Sequence, residues 1–160
     1  MKKGIFYSML LMMGFSLMSS TCSSSDDDGS NPNDNTVVIA EVMATVQTGT
    51  WRITSYIDSG NDETNHFNGY DFTFNSNGSL VADNGSTTVT GAWSITDDDN
   101  SNDDSNSSDD IDFNISFSSP NDFADLTEDW HIASRTATKI SLIHVSGGNG
   151  GTDTLTFEMN

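Results

Sequence analysis

From Trp51 onward, apolar and polar residues alternate with a period of two over most of the chain. That is the pattern of strands with one buried and one wet face. Trp51, Ile53 and Ile57 fall on one face, with Arg52, Thr54 and Tyr56 opposite. Tyr70, Phe72 and Phe74 alternate with Asp71 and Thr73, and Asn77-Gly78 turns the chain back into Leu80 and Ala82. Val89, Gly91, Trp93 and Ile95 share a face, as do Ile111, Phe113, Ile115 and Phe117. Trp130 and Ile132, Ile140 and Leu142, and Leu155 and Phe157 complete the set. Eight strands are predicted. Amphipathic antiparallel strands in this number close into a barrel or stack as a two-layer sandwich. A barrel leaves no open edge for another chain to pair with, so an all-β, eight-stranded antiparallel up-and-down barrel is expected.

Two stretches break the period. Residues 36–48 place Ile39, Val42, Met43 and Val46 at i, i+3, i+4 and i+7. A short helix follows, with Asn35 or Thr36 as its cap and Gly49 as its stop. Earlier still, Lys2 and Lys3 precede a fourteen-residue apolar run from Ile5 to Met18. The run is short for a bilayer span, and small residues follow it, as in a secretory signal.

That run leads to Cys22, the one cysteine of the chain, so no internal disulfide can use it. Ser19-Ser20-Thr21-Cys22 resembles the lipobox of bacterial lipoproteins. The resemblance implies cleavage before Cys22, a diacylglyceryl thioether on its sulfur and an acyl chain such as palmitate on the new amino end. Residues 1–21 are then a signal peptide. Two or more acyl chains hold a protein on a membrane stably, whereas one holds it marginally. By the same resemblance, Ser rather than Asp at residue 23 implies the outer over the inner membrane. The cluster Ser23-Ser24-Ser25-Asp26-Asp27-Asp28 resembles a surface-export signal and implies the cell surface. Read by composition alone, it is a soluble tether. Residues 22–35 are predicted as that tether, and 36–160 as one β-barrel domain.

Charge narrows the partners. The chain has 5 basic and 24 acidic residues, a net charge of −19. Loss of the leader leaves Arg52, Arg135 and Lys139 as the basic residues, a formal charge of −21. Nucleic acid and anionic lipid headgroups are both repelled, so the membrane link rests on the lipid at Cys22.

The acids are densest in a loop at 97–110. Asp97, Asp99, Ser101 and Asp103 present oxygens at alternate positions, which suits Ca²⁺. The glycine and distal Glu of an EF-type loop are absent, and a solvated low-complexity loop explains the same residues. His66, His131 and His144 show no metal-ligand spacing among themselves. His144 shares a face with Ile140 and Leu142, the setting of a wall histidine. No nucleophile elbow, phosphate loop or dinucleotide fingerprint occurs, and no enzymatic activity is expected.

The ordered set Gly49-x-Trp51, Phe67-x-Gly69-Tyr70-x-Phe72-x-Phe74-x5-Leu80, Gly91-x-Trp93-x-Ile95 and Asp153-Thr154-Leu155-Thr156-Phe157 resembles the lipocalin-like domains of bacterial surface lipoproteins. The resemblance implies a barrel holding a small hydrophobic ligand. The residues expected to form its core or line such a ligand are Trp51, Ile53, Phe72, Phe74, Trp93, Ile95, Phe113, Ile115, Trp130, Ile132, Ile140, Leu142, Leu155 and Phe157. Lipocalins stack a late arginine on the first tryptophan, and Arg135 is the candidate here. The expected function is binding of a small apolar ligand in an open lumen; the alternative is a non-enzymatic surface interaction or structural protein with a solid barrel core.

Overall fold

Eight long strands form a closed antiparallel barrel behind a short N-terminal helix. The computed structural model describes residues 35–97, 111–145 and 151–160. The leader, Cys22, the tether to residue 34, and Asp99, Asp103 and the rest of the loop at 98–110 lie outside the described residues.

Helix α1 (Asn35–Val46) leads into β1 (Trp51–Asp58). A two-residue ladder, β2 (Asn61–Asp62), and a 3₁₀ turn (Thr64–Phe67) precede β3 (Asp71–Phe74). Then come β4 (Ser79–Asp83), β5 (Thr88–Asp97), β6 (Ile111–Ser116), the short helix α2 (Asn121–Ala124), β7 (Glu128–Arg135), β8 (Lys139–Val145) and β9 (Thr152–Met159). Each long strand pairs with its successor, and β1 pairs with β9 to close the ring. β2 folds back on β1 alone, outside that ring.

The expected helix forms, but it already includes Asn35 and Thr36, so neither is its cap; Gly49 ends it as expected. Val42 and Val46 are fully buried, and Val38 and Met43 pack against the core. Gly49, at φ +72°, supplies the left-handed turn that redirects the chain into β1. The Asn77-Gly78 turn also forms: Asn77 Oδ1 accepts from the Ser79 N–H at 3.1 Å and from its hydroxyl at 2.8 Å.

One facing assignment is corrected. Tyr56 is buried at 2% exposure, whereas Ile57 is only partly buried. The register of β1 against β9 shifts between Ile53 and Ser55. A bulge inserts one residue, so every later side chain in β1 changes face. A second irregularity falls between Ile132 and Ser134 in β7.

Strand directions sort the connections. α1 and the turns at 75–78 and 136–138 lie at one end, with the last residue of β5, Asp97, and the first of β6, Ile111. The 3₁₀ turn, α2, the turn at 84–87 and the start of β9 lie at the other.

Candidate functional site

The barrel interior is the first place to look for a ligand, and its wall residues touch one another across it. Phe157 meets Phe72 at 5.4 Å and Phe74 at 5.5 Å between ring centroids. Phe74 meets Trp93 at 5.4 Å and Phe113 at 5.7 Å. All four contacts are edge-to-face, the favoured arrangement of aromatic quadrupoles. Rings from β3, β5, β6 and β9 thus interlock through the middle of the barrel.

Both ends are stoppered. At one, α1 lowers Val42 and Val46 onto the core, and the Trp51 indole N–H donates to the Val46 carbonyl at 2.9 Å. At the other, the 3₁₀ turn and α2 insert Phe67 and Phe123, whose rings meet at 5.3 Å. Phe123 also contacts Tyr70, Phe72 and Phe117. The Tyr56 hydroxyl donates to the Asp125 carbonyl at 2.7 Å, and the Trp130 indole to the Leu126 carbonyl at 3.1 Å. Trp93 likewise donates to the Asn75 carbonyl at 3.0 Å. Each tryptophan therefore fills the core with its rings and fastens a connection with its N–H.

Of the expected core set, Trp51, Ile53, Phe72, Phe74, Trp93, Phe113, Ile115, Trp130, Ile140, Leu142, Leu155 and Phe157 are buried. Ile95 and Ile132 are half-buried and pack on the margin. Ile132 lines a recess of about 200 Å³ beside α1, together with Val38, Ile111, Ala133, Ser134 and Arg135. Arg135 is corrected as the stacking arginine. Its guanidinium pairs with Glu41 on α1 at 2.7 Å, and no cation–ring contact occurs among the described residues. Asp97, the described member of the expected calcium set, accepts a hydrogen bond from the Asn35 amide at 3.0 Å.

A polar cluster occupies the rim at the α2 end. β8 and β9 set His144 directly opposite Asp153. The His144 ring lies 6.2 Å from Trp130, edge to face. Its Nε2 is 3.6 Å from Glu128 Oε2 and 3.7 Å from Asp129 Oδ1. Its Nδ1 is buried without a hydrogen bond, 3.6 Å from Asp153 Oδ2. Asp153 is itself buried, and its Oδ1 accepts the Ser59 N–H at 2.7 Å. Ser59 and Gly60 both have positive φ and join β1 to β2 as a two-residue hairpin turn. His144 does sit on the inward face beside Ile140 and Leu142, as expected of a wall histidine. Its three acidic neighbours were not foreseen. They come from two other strands, and their approach depends on register rather than on sequence spacing.

No family profile matches the chain. No curated protein matches it either. A solved structure described as a DUF4847 family protein from Bacteroides vulgatus is similar to it over 74% of this chain and 97% of that one, at 15% identity and a TM-score of 0.48.

Proposed function

We propose that this chain is a lipid-anchored lipoprotein of the outer membrane, displayed on the cell surface, whose lipocalin-like barrel is a solid, non-enzymatic body acting through its outer face. One observation carries the solid barrel: the residues that would line a ligand are engaged with each other, from Phe157 through Phe74 to Trp93 and Phe113. The anchor rests on Cys22 and the leader before it. With the leader removed the formal charge is −21, so anionic headgroups repel the chain and a diacylglyceryl thioether at Cys22 supplies the membrane attachment.

Cys22→Ser tests the anchor. The variant should leave the membrane fraction and take up no fatty-acid label. Label on the variant would overturn the reading.

A second reading has its own observation. The recess beside α1, about 200 Å³ and lined by Val38, Ile111 and Ile132, could take the apolar end of a small molecule. Ile132→Trp would fill it. An apolar fluorescent probe that binds the wild type and not this variant would support the second reading. Equal binding by both would dismiss it.

A further inference from the structure

The geometry of the rim cluster points to a bound metal ion. Charge-assisted N–H···O bonds run about 2.7–2.9 Å. The His144 Nε2 separations of 3.6 and 3.7 Å are too long for such bonds. Two ligand atoms about 2.1 Å from a shared tetrahedral ion stand about 3.4 Å apart, close to what is found. Glu128 Oε2, Asp129 Oδ1 and His144 Nε2 all lie within 4.8 Å of one another.

The other side of the imidazole supports the same assignment. Asp153 lies 3.6 Å from Nδ1, in a buried setting, and is pinned by the Ser59 N–H. The buried edge of the ring is thus turned to one carboxylate and Nε2 to two others, so Glu128, Asp129 and His144 each present a ligand atom to the same small space. A carboxylate on the far side of the ring is a common companion of metal-bound imidazoles, and Asp153 holds that place at 3.6 Å, from where a small closing motion would make the bond.

We propose that Glu128, Asp129 and His144 bind a divalent transition-metal ion of the Zn²⁺ type, with Asp153 as the positioning residue and water completing the coordination. Imidazole in the donor set favours this class over Ca²⁺ or Mg²⁺, which select oxygen. The site shares no residue with the acidic run at 97–110, whose side chains offer oxygen ligands.

The test is Zn²⁺ titration of the full chain in detergent, in excess Ca²⁺ to occupy the acidic loop. Affinity is read by calorimetry, and the histidine ring nitrogens by ¹⁵N NMR. The His144 ring signals should shift on saturation while those of His131 stay. Glu128→Gln and Asp129→Asn should each weaken binding by about tenfold or more, and Asp153→Asn by about 10–100-fold. The two rim carboxylate variants alter exposed or half-exposed side chains, so folding, checked by circular dichroism, should persist. Unmoved His144 signals at saturating Zn²⁺, or unchanged affinity in the folded Glu128→Gln/Asp129→Asn double variant, would overturn the proposal.

Discussion

The Trp51 indole N–H and the Val46 carbonyl, 2.9 Å apart, join the first strand to the last turn of α1. Both residues are fully buried. Helix ends leave carbonyls without intrahelical partners, and in a buried place such a group needs a donor. Trp51 is that donor, and its rings also fill the core beneath the helix. Trp51→Ala should lower stability by about 3–5 kcal/mol, the cost of emptying a large aromatic site. Trp51→Phe keeps part of the volume but strands the carbonyl, for about 1–3 kcal/mol. Denaturant unfolding of the two variants gives both numbers. A Trp51→Ala cost below about 0.5 kcal/mol would mean that the site is not a packed core.

Gly91 lies in mid-strand β5, where a side chain would normally stabilise. A Cβ there would stand 2.4 Å from the Ser116 carbonyl oxygen and 2.5 Å from Phe117 Cδ1. The oxygen belongs to the backbone of the neighbouring strand and cannot swing away. Gly91→Ala should therefore cost about 1–3 kcal/mol as an overpacking change. Gly85 gives the contrast: φ is +81°, with nothing within 4 Å of a Cβ, so Gly85→Ala carries backbone strain of about 1 kcal/mol alone. Thermal melts of both compare crowding with strain. A smaller loss at Gly91 than at Gly85 would count against the close approach of β5 and β6.

Tyr56 sets an alkaline limit. Burial pushes its phenol above the usual range, and the carboxylates of Asp58, Asp125, Asp153 and Glu128 add to the shift. A group with a raised folded-state pKa favours the folded state fully below its unfolded value. That contribution is lost as the pH climbs beyond about 10, where the unfolded chain releases the proton and the folded one holds it. At pH 7, Tyr56→Phe should cost about 1 kcal/mol through the lost bond to the Asp125 carbonyl. The gap between wild type and variant should then narrow at alkaline pH. Urea midpoints across that range measure it, and a gap that stays constant would contradict the assignment.

Much of this fold was legible because strands with one dry face repeat every two residues. Phe72 and Phe74, Phe113 and Ile115, and Leu155 and Phe157 point inward as their spacing requires. The repeated Gly-x-Trp was legible as a motif but not in its causes. Gly49 is needed for a positive φ, Gly91 for a close approach. The bulge near Thr54 leaves no mark on composition, so Tyr56 was assigned to the wrong face. The 3₁₀ turn that carries Phe67 into the barrel mouth lacks any period to detect. The rim cluster was least visible of all. Glu128 and Asp129 open β7 and His144 nears the end of β8, so the hairpin through Thr136–Thr138 brings them together. An acidic pair and a histidine at matching distances from one turn is the signal that could have found them.

The central claim is that this barrel is filled by its own side chains. Titration of the full chain in detergent with a fluorescent long-chain fatty acid tests it most directly, read by quenching of Trp51, Trp93 and Trp130. A solid interior should give only weak, non-saturating quenching. Saturable binding of a single probe molecule that persists in Ile132→Trp would place a ligand inside the barrel and contradict the account.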